Sequence, residues 1–121
     1  MSKEKYTRIV RGLFDRTMSG QLNWVLSFED GVYQADFPNH SLQIMRWIND
    51  DMVGDDIIIK IKNKEGMLIE SFSDVNIDSA DIPGNDSSFT YMNKIYETAR
   101  RQALGVDKAL DEIIDDLEMP F

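Results

Sequence analysis

The stretch DIIIKIKNKEGMLIESF, from Asp56 to Phe72, constrains the fold more than any other part of the chain. Ile57, Ile59 and Ile61 alternate with Ile58, Lys60 and Lys62. Successive side chains of a strand point to opposite faces, so this period of two sets an isoleucine row against a core and turns the lysines to water. Asn63-Lys64-Glu65-Gly66 has the composition of a type I turn closed by a glycine bulge, and Met67 to Phe72 returns as the next strand. A lone hairpin is barely stable in water, so its apolar face requires more strands and a covering layer.

Both are present in the pattern. Leu22, Trp24, Leu26 and Phe28 alternate with mostly polar residues, and Glu29-Asp30-Gly31 makes a tight turn. Val32 to Phe37 forms a second strand with Tyr33, Ala35 and Phe37 on one face, and Pro38-Asn39-His40 breaks it. Ser41 to Ile48 forms a third, with Leu42, Ile44 and Ile48 on one side. Trp24 and Trp47 fall on these strands, and one or both belong to the expected core. The period becomes helical at both ends of the chain. Tyr6, Ile9, Val10, Leu13, Phe14 and Met18 mark a helix over 5–19 that stops at Gly20. Phe89, Met92, Ile95, Tyr96, Ala99 and Ala103 mark another from residue 88, capped by Asp86 or Ser87 and broken at Gly105. Asp107 caps a last helix that directs Val106, Leu110, Ile113, Ile114 and Leu117 inward. The expected architecture is one α+β domain over residues 1–121, in two layers: a helix, a five-stranded antiparallel meander and two C-terminal helices.

Charge narrows the partners. The chain carries 22 acidic and 13 basic residues, for a net charge of -9. The first twenty residues hold Lys3, Lys5, Arg8, Arg11 and Arg16 against Glu4 and Asp15, so the acidity belongs to the remainder. Such a body repels nucleic-acid phosphates and anionic membranes and attracts basic protein surfaces. There is no cysteine, which removes disulfides, thiolate zinc sites and cysteine nucleophiles and fits a reducing compartment. The charged N-terminus lacks the apolar stretch of a signal peptide, and no apolar run approaches a membrane span; a cytoplasmic location is expected.

Few residues offer chemistry. Asp74, Asn76 and Asp78 have the opening spacing of a calcium loop, but Ser79 stands where glycine is needed and Asn85 where the bidentate glutamate is needed. The favoured reading of that stretch is a turn into a helix cap. His40 is the one histidine; its neighbour Ser41 points to the opposite face of a strand, so no triad forms locally. Asp50, Asp51, Asp55 and Asp56 flank Met52-Val53-Gly54 and read as a solvated loop or as a lure for a basic partner. Lys94, Arg100 and Arg101 make a small basic patch in which Glu97 pairs with Arg101. No glycine-rich phosphate loop occurs. The lysines of the central hairpin, Lys60, Lys62 and Lys64, argue against a mimic of the phosphate backbone.

The last helix is the hardest to explain by stability. It holds Asp107, Asp111, Glu112, Asp115, Asp116 and Glu118 against Lys108. Asp111 with Asp115 and Glu112 with Asp116 are like-charged pairs one turn apart, and acids in a final turn oppose the helix dipole.

The segments MNKIYETARRQALGVDKALDEIIDDLE and LNWVLSFEDGVYQADFPNHSLQI resemble small uncharacterised bacterial and phage proteins, in which a short helix precedes a strand meander and a helix pair closes the chain. The resemblance implies a bacterial or phage cytoplasmic protein of accessory, immunity or anti-defence type; it brings no catalytic motif. The resulting expectation is a non-enzymatic interaction module without cofactor or metal, which binds a basic protein surface through Asp111, Glu112, Asp115 and Asp116 and through Asp50, Asp51, Asp55 and Asp56. One alternative is a small-ligand or divalent-metal protein using the loop carboxylates together with Asp74 and Asp78. Another is a self-associating unit, a homo-oligomer built on Met45, Trp47, Met52 and Met67, since methionine is common at adaptable interfaces.

Overall fold

The alternating isoleucines form the middle of a sheet. The computed structural model describes residues 2–48 and 54–120. Its elements are α1 (Ser2–Met18), β1 (Val25–Leu26), β2 (Val32–Asp36), β3 (His40–Trp47), β4 (Asp56–Asn63), β5 (Leu68–Ser73), two short 3-10 turns (Asp74–Asn76 and Ser79–Asp81), α2 (Ser88–Leu104) and α3 (Val106–Glu118). The strands are hydrogen-bonded in chain order and every pair is antiparallel. This is the α+β arrangement the periodicity predicts.

Register fixes which residues meet. Ala35 lies opposite Leu42, Leu42 opposite Ile61, Ile44 opposite Ile59, and Ile59 opposite Phe72. This face carries the core, where Ile44, Ile57 and Ile59 are wholly buried against Val10 of α1 and Met92 and Ile95 of α2. Each such side chain contributes about 1.5–3 kcal/mol by leaving water. Two stacked ring pairs tie the helices down. Tyr6 lies 4.3 Å from Phe72 between ring centroids, and Phe14 lies 4.2 Å from Tyr91. The other face has Val32, Met45 and Ile58 in one cross-strand row and Gln34, Gln43 and Lys60 in the next. Gln43 donates to Gln34 at 3.0 Å, and Gln34 donates to Asp36 at 2.8 Å.

Turn chemistry follows the expected residues. In the β4–β5 turn, Gly66 takes φ 83° and Asn63 Oδ1 accepts from the N–H groups of Glu65 and Met67. The register slips between Ile61 and Lys62, as a bulge requires. Ser87, not Asp86, caps α2 by accepting from the Thr90 N–H, while Asp86 pairs with Lys94 at 2.7 Å.

Three strand expectations need correction. The face of Leu22, Trp24, Leu26 and Phe28 is only half buried: Leu22 and Trp24 are inside, and Leu26 and Phe28 are exposed. The cause is local. Ser27 Oγ donates to the Val32 carbonyl at 2.7 Å and accepts from the Glu29 N–H, which closes the turn after two paired residues. The segment before β1 docks on α1 instead, with the Trp24 indole N–H donating to Thr17 Oγ1 at 3.0 Å. Phe37 lies past the end of β2 and is exposed. Ile48 lies past the end of β3 and is also exposed, and Arg46 occupies the position between it and Ile44. Trp47 is exposed as well, so Trp24 alone of the two tryptophans joins the core.

The Trp24–Thr17 bond offers a clean test of this packing. Both residues are buried, so Thr17→Val leaves the indole N–H without a partner at nearly constant volume. Urea unfolding is expected to show a loss of about 1–3 kcal/mol. A loss under about 0.5 kcal/mol, the size of an ordinary surface substitution, would mean that the indole N–H reaches water.

Candidate protein-docking surface

One residue separates the last two helices. Gly105 takes φ 64° and ψ 41°, and its N–H donates to the carbonyls of Arg101 and Gln102. The left-handed conformation ends α2 and starts α3 at once, with no linker between them. No side chain caps α3. Asp107, expected as its cap, instead accepts from Arg101 Nη2 at 2.8 Å. Arg101 therefore pairs across the elbow and not with Glu97, as helical spacing had suggested.

The direction set at the elbow exposes the apolar face of α3. Leu110 is 48% exposed, Ile113 54%, Ile114 48%, Leu117 77% and Met119 61%, and no residue of the helix is buried. Val106 is half-buried beside the elbow. The inward packing expected of this stripe does not occur. α3 touches α2, to which Gly105 joins it directly, while the core is closed by α1 and α2. Residues 110, 113, 114 and 117 follow the spacing of one continuous helical stripe. Asp111, Glu112, Asp115 and Asp116 are exposed beside it. Each like-charged pair one turn apart weakens the helix by about 0.2–0.5 kcal/mol. A helix of 13 residues is marginal in water without tertiary packing, which α3 lacks over most of its length.

The loop carboxylates are differently placed. Asp55 Oδ2 accepts from Arg46 Nε at 2.9 Å and from Nη2 at 2.7 Å. The Arg46 guanidinium also reaches Asn93 and lies over the Phe89 ring, 5.5 Å from its centroid. Arg46 therefore ties β3 to α2 and holds Asp55, which offers a partner little free charge. Asp56 is half-buried opposite Trp47. Asp50 and Asp51 lie outside the described residues, as does Met52.

Asp74, Asn76 and Asp78, the calcium-like trio, are engaged by their own backbone. Asp74 is buried and accepts from the Ile57 N–H at 2.9 Å. Asn76 Oδ1 accepts from the Ser73 N–H, and Asp78 Oδ1 accepts from the Ala80 N–H. Among the described residues no three histidine, aspartate or glutamate side chains lie close enough to hold a metal ion. His40 is exposed at the start of β3.

The methionine–tryptophan face is also divided. Trp47 pairs with Asp56 at the start of β4, whereas Met67 follows the turn at its far end, roughly 20 Å away at the rise of a strand. Met45 lies between them, half-buried beside Ile58. These residues do not form one patch. The exposed apolar stripe of α3 was legible as a stripe but not as a surface, because periodicity marks a face without saying what covers it.

Comparison with family models, with curated proteins and with solved structures found no match.

Asp74 yields a pH test of the loop. Burial lifts its carboxyl above the ordinary value, hydrogen bonds from Ile57 and from its own N–H oppose this, and the nearby Asp56 charge adds to it. The folded state thus holds the proton more tightly than the unfolded chain. The contribution is full below the unfolded value, near ~3.9, and is lost as pH rises through the folded value. Asp74→Asn keeps an acceptor for Ile57 and removes the titration. Wild type should therefore lose stability relative to this variant as pH rises from below the unfolded value through the raised folded one. Parallel unfolding curves would contradict the raised carboxyl. Asp74→Ala removes the acceptor as well and should be less stable than Asp74→Asn by about 1–3 kcal/mol at every pH.

Proposed function

We propose that the protein is a non-enzymatic interaction module that docks through α3 onto a protein partner bearing an apolar groove with a basic rim. The observation that carries this reading is the exposure of Leu110, Ile113, Ile114 and Leu117 as one stripe flanked by Asp111, Glu112, Asp115 and Asp116. Helices of this kind bind by laying their apolar residues into a groove, and the anchors recur at the i, i+3, i+4 and i+7 positions. The carboxylates add speed and orientation more than affinity. They also choose the class of partner. Helices that lie on membranes carry Lys and Arg on the polar face, and nucleic acids repel acids, so this helix suits a basic protein. Of the carboxylates read from the sequence, those on α3 bear the reading, because Asp55 is held by Arg46. An accessory or inhibitor role in a bacterial or phage cell rests on the resemblance of the sequence.

The test separates the stripe from the charge. Ile113→Ser with Leu117→Ser leaves the core untouched and should change stability by no more than about 0.5 kcal/mol. It should nevertheless abolish capture of the partner, as loss of buried anchors costs about 2 kcal/mol or more each. Neutralising Asp111, Glu112, Asp115 and Asp116 to Asn or Gln should weaken capture at low salt and leave it nearly independent of salt. Wild type should bind less well as salt rises. A partner retained equally by both variants would move the site off α3.

A further inference from the structure

The face of α1 carries a groove complementary to α3. Ile9, Leu13, Leu22 and Phe37 line an open depression of about 250 Å³, and Arg8 and Arg16 stand beside it. Apolar cavities of ~150 Å³ hold a benzene-sized group, so the groove has room for an aliphatic side chain of a docking helix. Lys5 extends the basic border, next to Arg8 and Ile9. Among the described residues Lys5, Arg8 and Arg16 make no ion pair.

Gly12 lies in the same groove, in the interior of α1. Glycine there weakens the helix relative to alanine. Nothing among the described residues requires it. Its φ is not positive, and a Cβ added there would meet no atom within 4 Å. A bare backbone at the centre of an open groove is what a second helix needs for close approach.

We infer that the groove on α1 receives α3 from a second copy of this chain, an inference that rests on α3 being a docking helix. Charge decides among the possible occupants. α1 belongs to the basic segment of an otherwise acidic chain, and α3 is its most acidic helix. Two α3 helices laid together would oppose Asp111, Glu112, Asp115 and Asp116 to the same residues, which is repulsive. The α1 of the same chain leaves the stripe uncovered. In the second copy, Arg8 and Arg16 face acids while Ile9, Leu13 and Phe37 receive Leu110, Ile113 or Leu117. Such a contact joins two different surfaces, so it closes a dimer when reciprocal and extends further when it is not.

Sedimentation equilibrium over a wide concentration range, at low and high salt, tests this. The mass of wild type should rise above the 14.0 kDa monomer with concentration and fall back in high salt. Arg8→Glu with Arg16→Glu should be monomeric, and so should Ile113→Ser with Leu117→Ser. Mixed, the two variants should form a one-to-one complex, because each keeps the half that the other lacks. Arg8, Arg16, Ile113 and Leu117 are all exposed, so folding is retained. Gly12→Leu should raise the melting temperature yet abolish association, a split that a purely structural glycine does not produce. A wild-type monomer at all concentrations overturns the inference, and so does association that survives Arg8→Glu with Arg16→Glu. If wild type is monomeric while the Ile113→Ser, Leu117→Ser protein still loses a foreign partner, only the second copy is excluded as occupant. If that partner is kept as well, α3 is not a docking helix and both readings fall.

Discussion

The width of the sheet decides the rest of the structure. Five antiparallel strands spaced ~4.8 Å apart give a face roughly 19 Å across. A helix with its side chains is ~10 Å thick, so two helices fill that face. α2 crosses β1 to β4, and α1 packs beside it, anchored near β5 through Tyr6 and Phe72 and near the start of β1 through Thr17 and Trp24. A third helix finds no core surface left on that side. α3 therefore continues from α2 in the direction that the left-handed Gly105 sets, with its own apolar face exposed.

This explains which parts of the fold were legible in the sequence. Rows such as Leu42 and Ile44 or Ile57 and Ile59 announce their buried face directly, because a period of two admits one pairing geometry. The α2 stripe was equally clear, since Met92, Ile95 and Ala99 recur at helical spacing and are all buried. α3 has a pattern just as regular, yet its stripe is exposed. Hydrophobic period reports that a face exists; whether the face is covered depends on how much sheet remains, which is a property of the whole fold. β1 failed for the opposite reason. Its alternation from Leu22 to Phe28 was overridden by a single side chain, Ser27, whose bonds to Val32 and Glu29 close the turn early.

Charged residues were harder to read than apolar ones, because their roles were set by partners distant in sequence. Asp74 resembled a metal ligand by spacing, but its carboxylate satisfies the Ile57 N–H at the start of β4, 17 residues away. Asp55 resembled free surface charge, but Arg46 holds it by two bonds while lying over Phe89. Among the described residues, the basic face of α1 and the acidic flank of α3 then remain as two exposed surfaces of opposite charge. No local pattern distinguishes a paired carboxylate from an unpaired one, so this segregation emerges only in the folded chain.

The acids of α3 then have two physical effects that pull in opposite directions. They weaken the helix through repulsion one turn apart and through its dipole. They also surround an exposed stripe of Leu110, Ile113, Ile114 and Leu117 that would otherwise invite indiscriminate apolar contact. A surface with matching cations relieves the repulsion at the moment it covers the stripe, whereas a neutral apolar surface leaves the carboxylates facing one another and partly stripped of water. If α3 docks as proposed, its selectivity would come less from the attraction of the stripe, which any apolar groove can supply, than from the penalty the carboxylates impose on every groove without a basic rim.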